Sequence, residues 1–225
     1  MDERIEHLYC DVVIVGCGVA GLYCALNLPR ELSIIMLAKT TLDECDSMLA
    51  QGGICVQRND SDYEPFFKDT LRAGHFENRR ESVDLMIRAS RSVIDNLMSF
   101  GVDFAQNDDG SLRYTREGAH SRARICYHQD TTGAEITTKL LAAVKHLANV
   151  HILESTCMDD ILTEANVSLR NSQYTRQVSR EKNARERCRG VVAHSDDGRT
   201  VSISANATVW ACGGIGGMYE RSTNF

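Results

Sequence analysis

Three glycines at the spacing Gly16-x-Gly18-x-x-Gly21 are the first residues with chemistry to offer. They follow the apolar run Val12-Val13-Ile14-Val15 and precede Leu22-Tyr-Cys-Ala-Leu26, so they read as the turn between a buried parallel strand and a helix. In that setting Gly16 permits the tight turn, Gly18 lets the backbone approach a pyrophosphate, and Gly21 lets helix and strand pack closely. The pyrophosphate then sits on the unpaired N–H groups and positive end of the helix. The bland alternative is a glycine-rich turn that only packs.

Two further groups could act on a ligand. Gln51-Gly52-Gly53 is a turn whose backbone N–H groups can lie against a flat ring system and stabilise negative charge gathering there on reduction. The stretch from Asn107 to Asp130 has no periodicity and gathers Arg113, Arg116, Glu117, His120, Arg122, Arg124 and His128. The second strand ends at Met36-Leu-Ala38-Lys39 without the carboxylate that grips the ribose of NAD, and Lys39 can neutralise phosphate instead. That leaves FAD or NADP open at this point, with the Gln-Gly-Gly turn favouring a flavin.

The elements that must hold these residues are partly legible. Ser33 to Ala38 reads as a second buried strand, after Pro29 has stopped the first helix. Residues 39 to 61 look irregular. Val83, Met86, Ile87, Val93, Ile94, Leu97 and Met98 recur at helical spacing and predict a long amphipathic helix capped by Gly101. Thr132-Gly-Ala-Glu135 predicts a capping box that opens a helix running to about Ala148. Val150 to Leu153, Ile161-Leu162, Gly190 to Ala193 and Thr200 to Ile203 read as strands, with Asp196-Asp-Gly198 as a hairpin turn. Ala207 to Cys212 reads as a separate last strand, and Asn166 to Arg187 as a solvated loop. The chain stops at Phe225 just after Gly213-Gly-Ile-Gly-Gly217, which suggests the N-terminal part of a longer protein.

Bulk composition narrows the classes. The 225 residues are 43% hydrophobic and 25% charged, the balance of a globular protein with a real core. A net charge of -6 and the lack of a basic stripe argue against nucleic acid. No apolar run nears the roughly 18 residues of a membrane helix, and an acidic N-terminus is no secretory signal. Nine cysteines with no CxxC pair give no metal-ligand spacing and predict reduced thiols in the cytoplasm. The sequon at Asn166 is then chance. Cys17, at the start of the first helix, would be the reactive thiol if the helix terminus lowers its pKa, or else a small residue filling a turn.

Six motifs in order carry a resemblance: Gly16-x-Gly18-x-x-Gly21, Leu37-Ala-Lys39, Ser47-Met-Leu-Ala-Gln51-Gly-Gly-Ile54, Thr115-Arg-Glu117-Gly-Ala-His120-Ser121, Asp130-Thr-Thr-Gly133 and Ala211-Cys-Gly-Gly214. Together they resemble the flavoprotein family of succinate dehydrogenase, fumarate reductase and L-aspartate oxidase, over essentially the whole chain. The likeness is strongest to the aspartate-oxidising members. It implies an α/β fold of the glutathione-reductase FAD-binding type, with a parallel sheet, helices on one face and a small antiparallel sheet on the other. Residues 1–225 would form one FAD-binding domain, with the capping domain and main catalytic arginine beyond Phe225, so this chain is expected to bind flavin without turnover.

The resemblance also implies roles. FAD would be held by Gly16, Gly18, Val19, Ala20, Gly21, Lys39, Ser47, Gln51, Gly52 and Gly53, with Met158 and Asp159 at the adenine. Glu117, His120 and Ser121 would face substrate, Glu117 taking its ammonium and flavin N5 its hydride. A dicarboxylate lacking an amine would be repelled by such an acid, which favours L-aspartate over succinate or fumarate. A pairing of Glu117 with Arg116 or Arg124 is the structural alternative. Covalent members carry a His five residues before the Gln, where this chain has Asp46, so FAD is expected to be non-covalent. The family's Gly-Gly-His-Ser is altered at Ala119. The implied reaction is oxidation of L-aspartate to iminoaspartate with electrons to oxygen or fumarate, the first step of NAD biosynthesis, with quinolinate synthase taking the product. A fumarate reductase or succinate dehydrogenase flavoprotein subunit is the alternative enzyme, and an NADP-binding module the alternative class.

Overall fold

The computed structural model describes residues 5–164 and 187–222, so the loop expected over 166–187 and the sequon at Asn166 lie essentially outside the described residues. The chain divides into two compact units, Met1–Cys45 with Val144–Phe225, and Asp46–Ala143.

The first unit is built on a six-stranded sheet. In chain order its elements are β1 (Glu6–Val15), α1 (Val19–Asn27), β2 (Ile34–Leu37), β5 (Val150–Leu153), β6 (Thr156–Thr163), β7 (Cys188–Ser195) and β8 (Thr200–Trp210), with strand order β5-β2-β1-β8-β7-β6. β5, β2, β1 and β8 are parallel, as expected, and β7 and β6 continue the same sheet antiparallel beyond β8. Val12 to Val15 are all buried because both faces of β1 are covered. Val13 and Val15 join Ile35, Leu37, Val191, Val201 and Ile203 in one core, while a Cβ on Gly21 of α1 would stand 3.2 Å from Ile14 on the other face. Two covered faces explain a continuous apolar run in place of alternation.

The last two expected strands are one. β8 pairs with β1 from Val201 to Trp210, with β7 only over Thr200–Ser204. Asn206, which looks like a break in the sequence, donates its side-chain amide to Asp11 Oδ1 at 3.2 Å. A cross-strand partner therefore absorbs the polar residue.

The second unit holds α2 (Asp46–Leu49), β3 (Ile54–Cys55), a short 3-10 turn (Asp60–Asp62), α3 (Tyr63–Ala73), α4 (Arg80–Ser99), β4 (Ile125–Cys126) and most of α5 (Thr132–Lys145). β3 and β4 form the small antiparallel sheet. α4 is the expected amphipathic helix, with Val83, Ile87, Ile94 and Leu97 buried and Gly101 beyond its end at φ +91°. Met86, expected in the apolar stripe, is 49% exposed. α3 was not signalled, because its buried face mixes Phe66, Phe67 and Leu71 with Asp69. The capping box of α5 is not formed: Thr132 Oγ1 accepts the His128 N–H at 2.9 Å, and Glu135 Oε1 accepts the Asp103 N–H at 2.9 Å. Thr132 already lies inside the helix, so both side chains serve the preceding loops instead.

Glycine geometry generates a test. A Cβ on Gly16, at φ +108°, would stand 2.2 Å from the Ala211 carbonyl oxygen. Overpacking and a left-handed backbone together put the cost of Gly16→Ala at about 2–5 kcal/mol. Urea unfolding should show this as a lower midpoint, and an unchanged midpoint would contradict the geometry.

Candidate functional site

In the first unit the loops leaving the parallel strands are tied together at one edge of the sheet. Gly16 N–H donates to Leu37 O at 2.9 Å, Ala38 N–H to Leu153 O at 2.9 Å, and Ala211 N–H to Val15 O at 2.8 Å. Thr156 N–H then reaches Ala38 O at 2.8 Å and Ser155 N–H reaches Thr40 O at 3.1 Å, so the start of β6 runs beside Lys39. In open α/β sheets ligands bind at this carboxyl edge. Gly21 fits against Gly16, where a Cβ would meet the Gly16 carbonyl oxygen at 2.0 Å. Gly18 is the N-cap of α1 and has no capping side chain, and no acidic residue stands in the first turn. That terminus suits an anion. Val19 and Ala20 begin the helix, and Lys39 is exposed just past β2. Met158 packs on the sheet core, while Asp159 sits at a register shift in β6 with its carboxylate 2.7 Å from His194 Nδ1.

Cys17 does not behave as an activated thiol. It is buried, its Sγ–H donates to Leu37 O at 3.5 Å, and burial pushes its pKa up to about 12. A helix terminus supplies at most about 2 kcal/mol toward the thiolate, too little to offset desolvation of this size. The turn-filling reading is the one the structure supports.

The second unit brings together three motifs far apart in sequence. A Cβ on Gly133 would stand 2.1 Å from Ser47 O, and the Gly133 N–H donates to Ala50 O at 2.8 Å. A Cβ on Gly53 would stand 2.3 Å from Cys126 O. Both positions are cradles that only glycine fits. A Cβ on Gly52 would stand 3.2 Å from Glu117 Oε2, so that carboxylate lies directly over the Gln51-Gly52-Gly53 turn. Glu117 is exposed and, among the described residues, has no Arg or Lys at ion-pair distance. The alternative pairing with Arg116 or Arg124 is not what the structure shows.

Arg124 is committed elsewhere. Its side chain is fully buried and grips both oxygens of Asp62, Nη2 to Oδ1 at 2.9 Å and Nε to Oδ2 at 3.2 Å. Its Nη1 donates to Asp69 Oδ2 at 2.8 Å, and the guanidinium lies 4.9 Å from the Phe66 ring centre. Ser121 donates both its N–H (2.7 Å) and its hydroxyl (2.6 Å) to the same Asp69 oxygen. Burial alone would raise Asp69, but these Ser121 bonds and the Arg124 guanidinium outweigh it and bring the carboxyl down to about 2. His120 bridges Arg124 at Nδ1 (3.1 Å) and Cys55 Sγ at Nε2 (3.3 Å), and burial followed by the Arg124 charge lowers its pKa. The Cys55 thiol is raised by burial. Asp62, Asp69 and Cys55 were not anticipated. The available signal was Asp62, Phe66 and Asp69 at i, i+4 and i+7, which puts two acids on an apolar helix face.

The FAD binding domain family matches residues 11–225. The chain belongs to this family. FAD is accordingly its cofactor, and the α1 N-terminus, which opens at Gly18 with no side-chain cap and no acid in its first turn, fits the pyrophosphate of that group. Among curated proteins the chain is 41% identical over 214 residues to an L-aspartate oxidase of Clostridium perfringens and 39% identical over 218 residues to one of Clostridium acetobutylicum. These matches cover 95% and 97% of this chain but 44% and 45% of those proteins, so the chain spans less than half their length. Among solved structures the fold matches a quinol fumarate reductase FrdA chain of E. coli with TM-score 0.83 at 24% identity, covering 98% of this chain and 35% of that one. It matches a Mycobacterium smegmatis Sdh1 complex with TM-score 0.80 at 24% identity, covering 98% and 37%. Both share the FAD-binding fold. No helix among the described residues is long and apolar enough to cross a membrane.

The Asp69 cluster yields two tests. Asp69 is depressed, so the unfolded chain takes up its proton first as pH falls. Stability present above about pH 4 is therefore lost toward pH 2, by about 2 kcal/mol. Asp69→Asn should abolish that dependence and cost about 3–5 kcal/mol at neutral pH, because Arg124 loses a buried partner. Denaturant midpoints across pH 2–7 read both effects, and a pH slope unaltered in the variant would refute the assignment. Ala119 holds φ +67°, a strained position for a side chain. Ala119→Gly should stabilise by about 1 kcal/mol in the same assay, and destabilisation would show that the methyl group earns a contact.

Proposed function

We propose that this chain is the FAD-binding portion of an enzyme that oxidises L-aspartate to iminoaspartate. The observation that carries the reading is the Glu117 carboxylate, free of cationic partners and set against Gly52. An acid left unpaired there disfavours a plain dicarboxylate and favours a substrate that brings its own ammonium. FAD supplies the two-electron acceptor. Gly16, Gly18, Val19, Ala20, Gly21 and Lys39 would hold its phosphates and ribose, with Met158 and Asp159 toward the adenine. Ser47, Gln51, Gly52 and Gly53 would present backbone groups to the flavin ring. Glu117 orients the substrate ammonium, His120 offers a hydrogen bond, and Ser121, its hydroxyl bound to Asp69, anchors their loop. Asp46 stands where covalent members carry histidine, so the cofactor is held without a covalent bond. The reading further places the enzyme in the cytoplasm, passing electrons to oxygen or fumarate and its unstable imine to quinolinate synthase in NAD biosynthesis.

The test needs a protein of the relatives' full length. One charge-assisted contact is worth about 1.5–3 kcal/mol, so Glu117→Gln should lower kcat/KM for aspartate by roughly 10- to 150-fold. Fumarate reduction, which involves no ammonium, should survive or improve. If both activities fall together, Glu117 does not read the amine, and a fumarate reductase or succinate dehydrogenase flavoprotein becomes the better reading.

A further inference from the structure

Both ring nitrogens of His120 are engaged, and their partners are chemically unequal. Nδ1 faces Arg124 Nη1 at 3.1 Å and Nε2 faces Cys55 Sγ at 3.3 Å. A guanidinium carries only N–H donors and keeps its charge at any pH at which proteins fold. Nδ1 must therefore accept, and a neutral ring carries its proton on Nε2. Arg124 cannot turn away to relieve this demand. Its Nε and Nη2 are fixed on the two oxygens of Asp62, its Nη1 also binds Asp69, and its side chain is fully buried.

We propose that Arg124, caged by Asp62 and Asp69, is a positioning residue that locks His120 in the Nε2–H tautomer, so that the ring donates at Nε2 and only accepts at Nδ1. Sulfur is a weak acceptor, so the Nε2 proton held by Cys55 is available to a stronger one, such as a carboxylate oxygen of a ligand. That use beside the Gln51–Gly53 turn rests on the aspartate-oxidising reading above, whereas the tautomer itself rests on the cage alone. The groups facing the ring are Cys55 from β3, Asp62 from the 3-10 turn, Phe66 and Asp69 from α3, and Glu117 and Arg124 from its own loop. The three carboxylates favour a second proton. Burial and the Arg124 charge oppose it and prevail.

The experiment uses the 225-residue chain labelled with 15N-histidine, with spectra that correlate the ring carbon protons with Nδ1 and Nε2 between pH 5 and 9. Signals of His120 are those missing from His120→Asn. The expected result is one neutral tautomer, protonated at Nε2, with a titration midpoint below the ordinary 6.5. A neutral form protonated at Nδ1, or a midpoint at or above 6.5, would overturn the proposal. The second arm replaces the cage as a whole, Asp62→Asn with Asp69→Asn and Arg124→Leu, which strands no buried charge. Both tautomers should then appear, and persistence of the Nε2–H form alone would show that Arg124 does not set it. The wild-type arm decides the matter even if the triple variant does not fold. Aspartate turnover by the full-length protein is read separately, so its failure counts against the substrate and not against the tautomer.

Discussion

A guanidinium removed from water needs its charge balanced and its N–H groups occupied. Arg124 balances its charge with Asp62 and Asp69 and engages four of its five N–H groups with Asp62, Asp69 and His120. Two carboxylates around one cation leave an excess negative charge. Arg72 on Asp69 at 2.8 Å and Arg122 near Asp62 at 3.9 Å offset it from the surface side. Such a cluster stabilises little in net terms, because desolvation consumes most of the Coulomb attraction. Its effect is to permit one arrangement only. The 3-10 turn, α3 and the loop from Glu117 to Arg124 must meet in a single register for these four bonds to form, and the position of Glu117 over Gly52 follows from that register.

The first unit obtains the same precision from backbone alone. Amides at Gly16, Ala38 and Ala211 each donate to the end of a neighbouring strand, so three loops that leave the sheet are fixed relative to one another without a side chain. That leaves no room for a Cβ at Gly16 or Gly21. α1 also opens at Gly18 with no side-chain cap, which suits an anionic ligand.

Charge and burial act together at Asp69, Cys17, Cys126 and His120, and magnitude decides the outcome. Asp69 is buried yet lowered, because its partners are charged or donate at short range. Cys17 and Cys126 are buried with no such partner, and each is pushed up to about 12. His120 lies between these cases, with carboxylates on one side and a cation at Nδ1. Proximity to a helix terminus is a smaller influence than any of these.

The glycine fingerprint, the buried strands, α4 and the six ordered motifs were legible in the sequence, because each depends on local sterics or on a periodicity that one stretch of chain displays by itself. The order of the strands was not, nor was the fusion of Thr200 to Trp210 into a single β8, since Asn206 looks like a break until Asp11 is seen opposite it. α3 escaped because Asp69 interrupts its apolar face, and the reason for an acid there lies 55 residues away in Arg124. Thr132 and Glu135 spelled a capping box, yet their side chains were drawn to the amide of His128 in the preceding turn and to that of Asp103, which sequence cannot place nearby. The chain thus declares its own turns, helices and cofactor class. Which polar side chains neutralise one another inside it was decided only by tertiary structure, because a buried charge is satisfied by whatever the fold brings within 3 Å, at any separation along the chain.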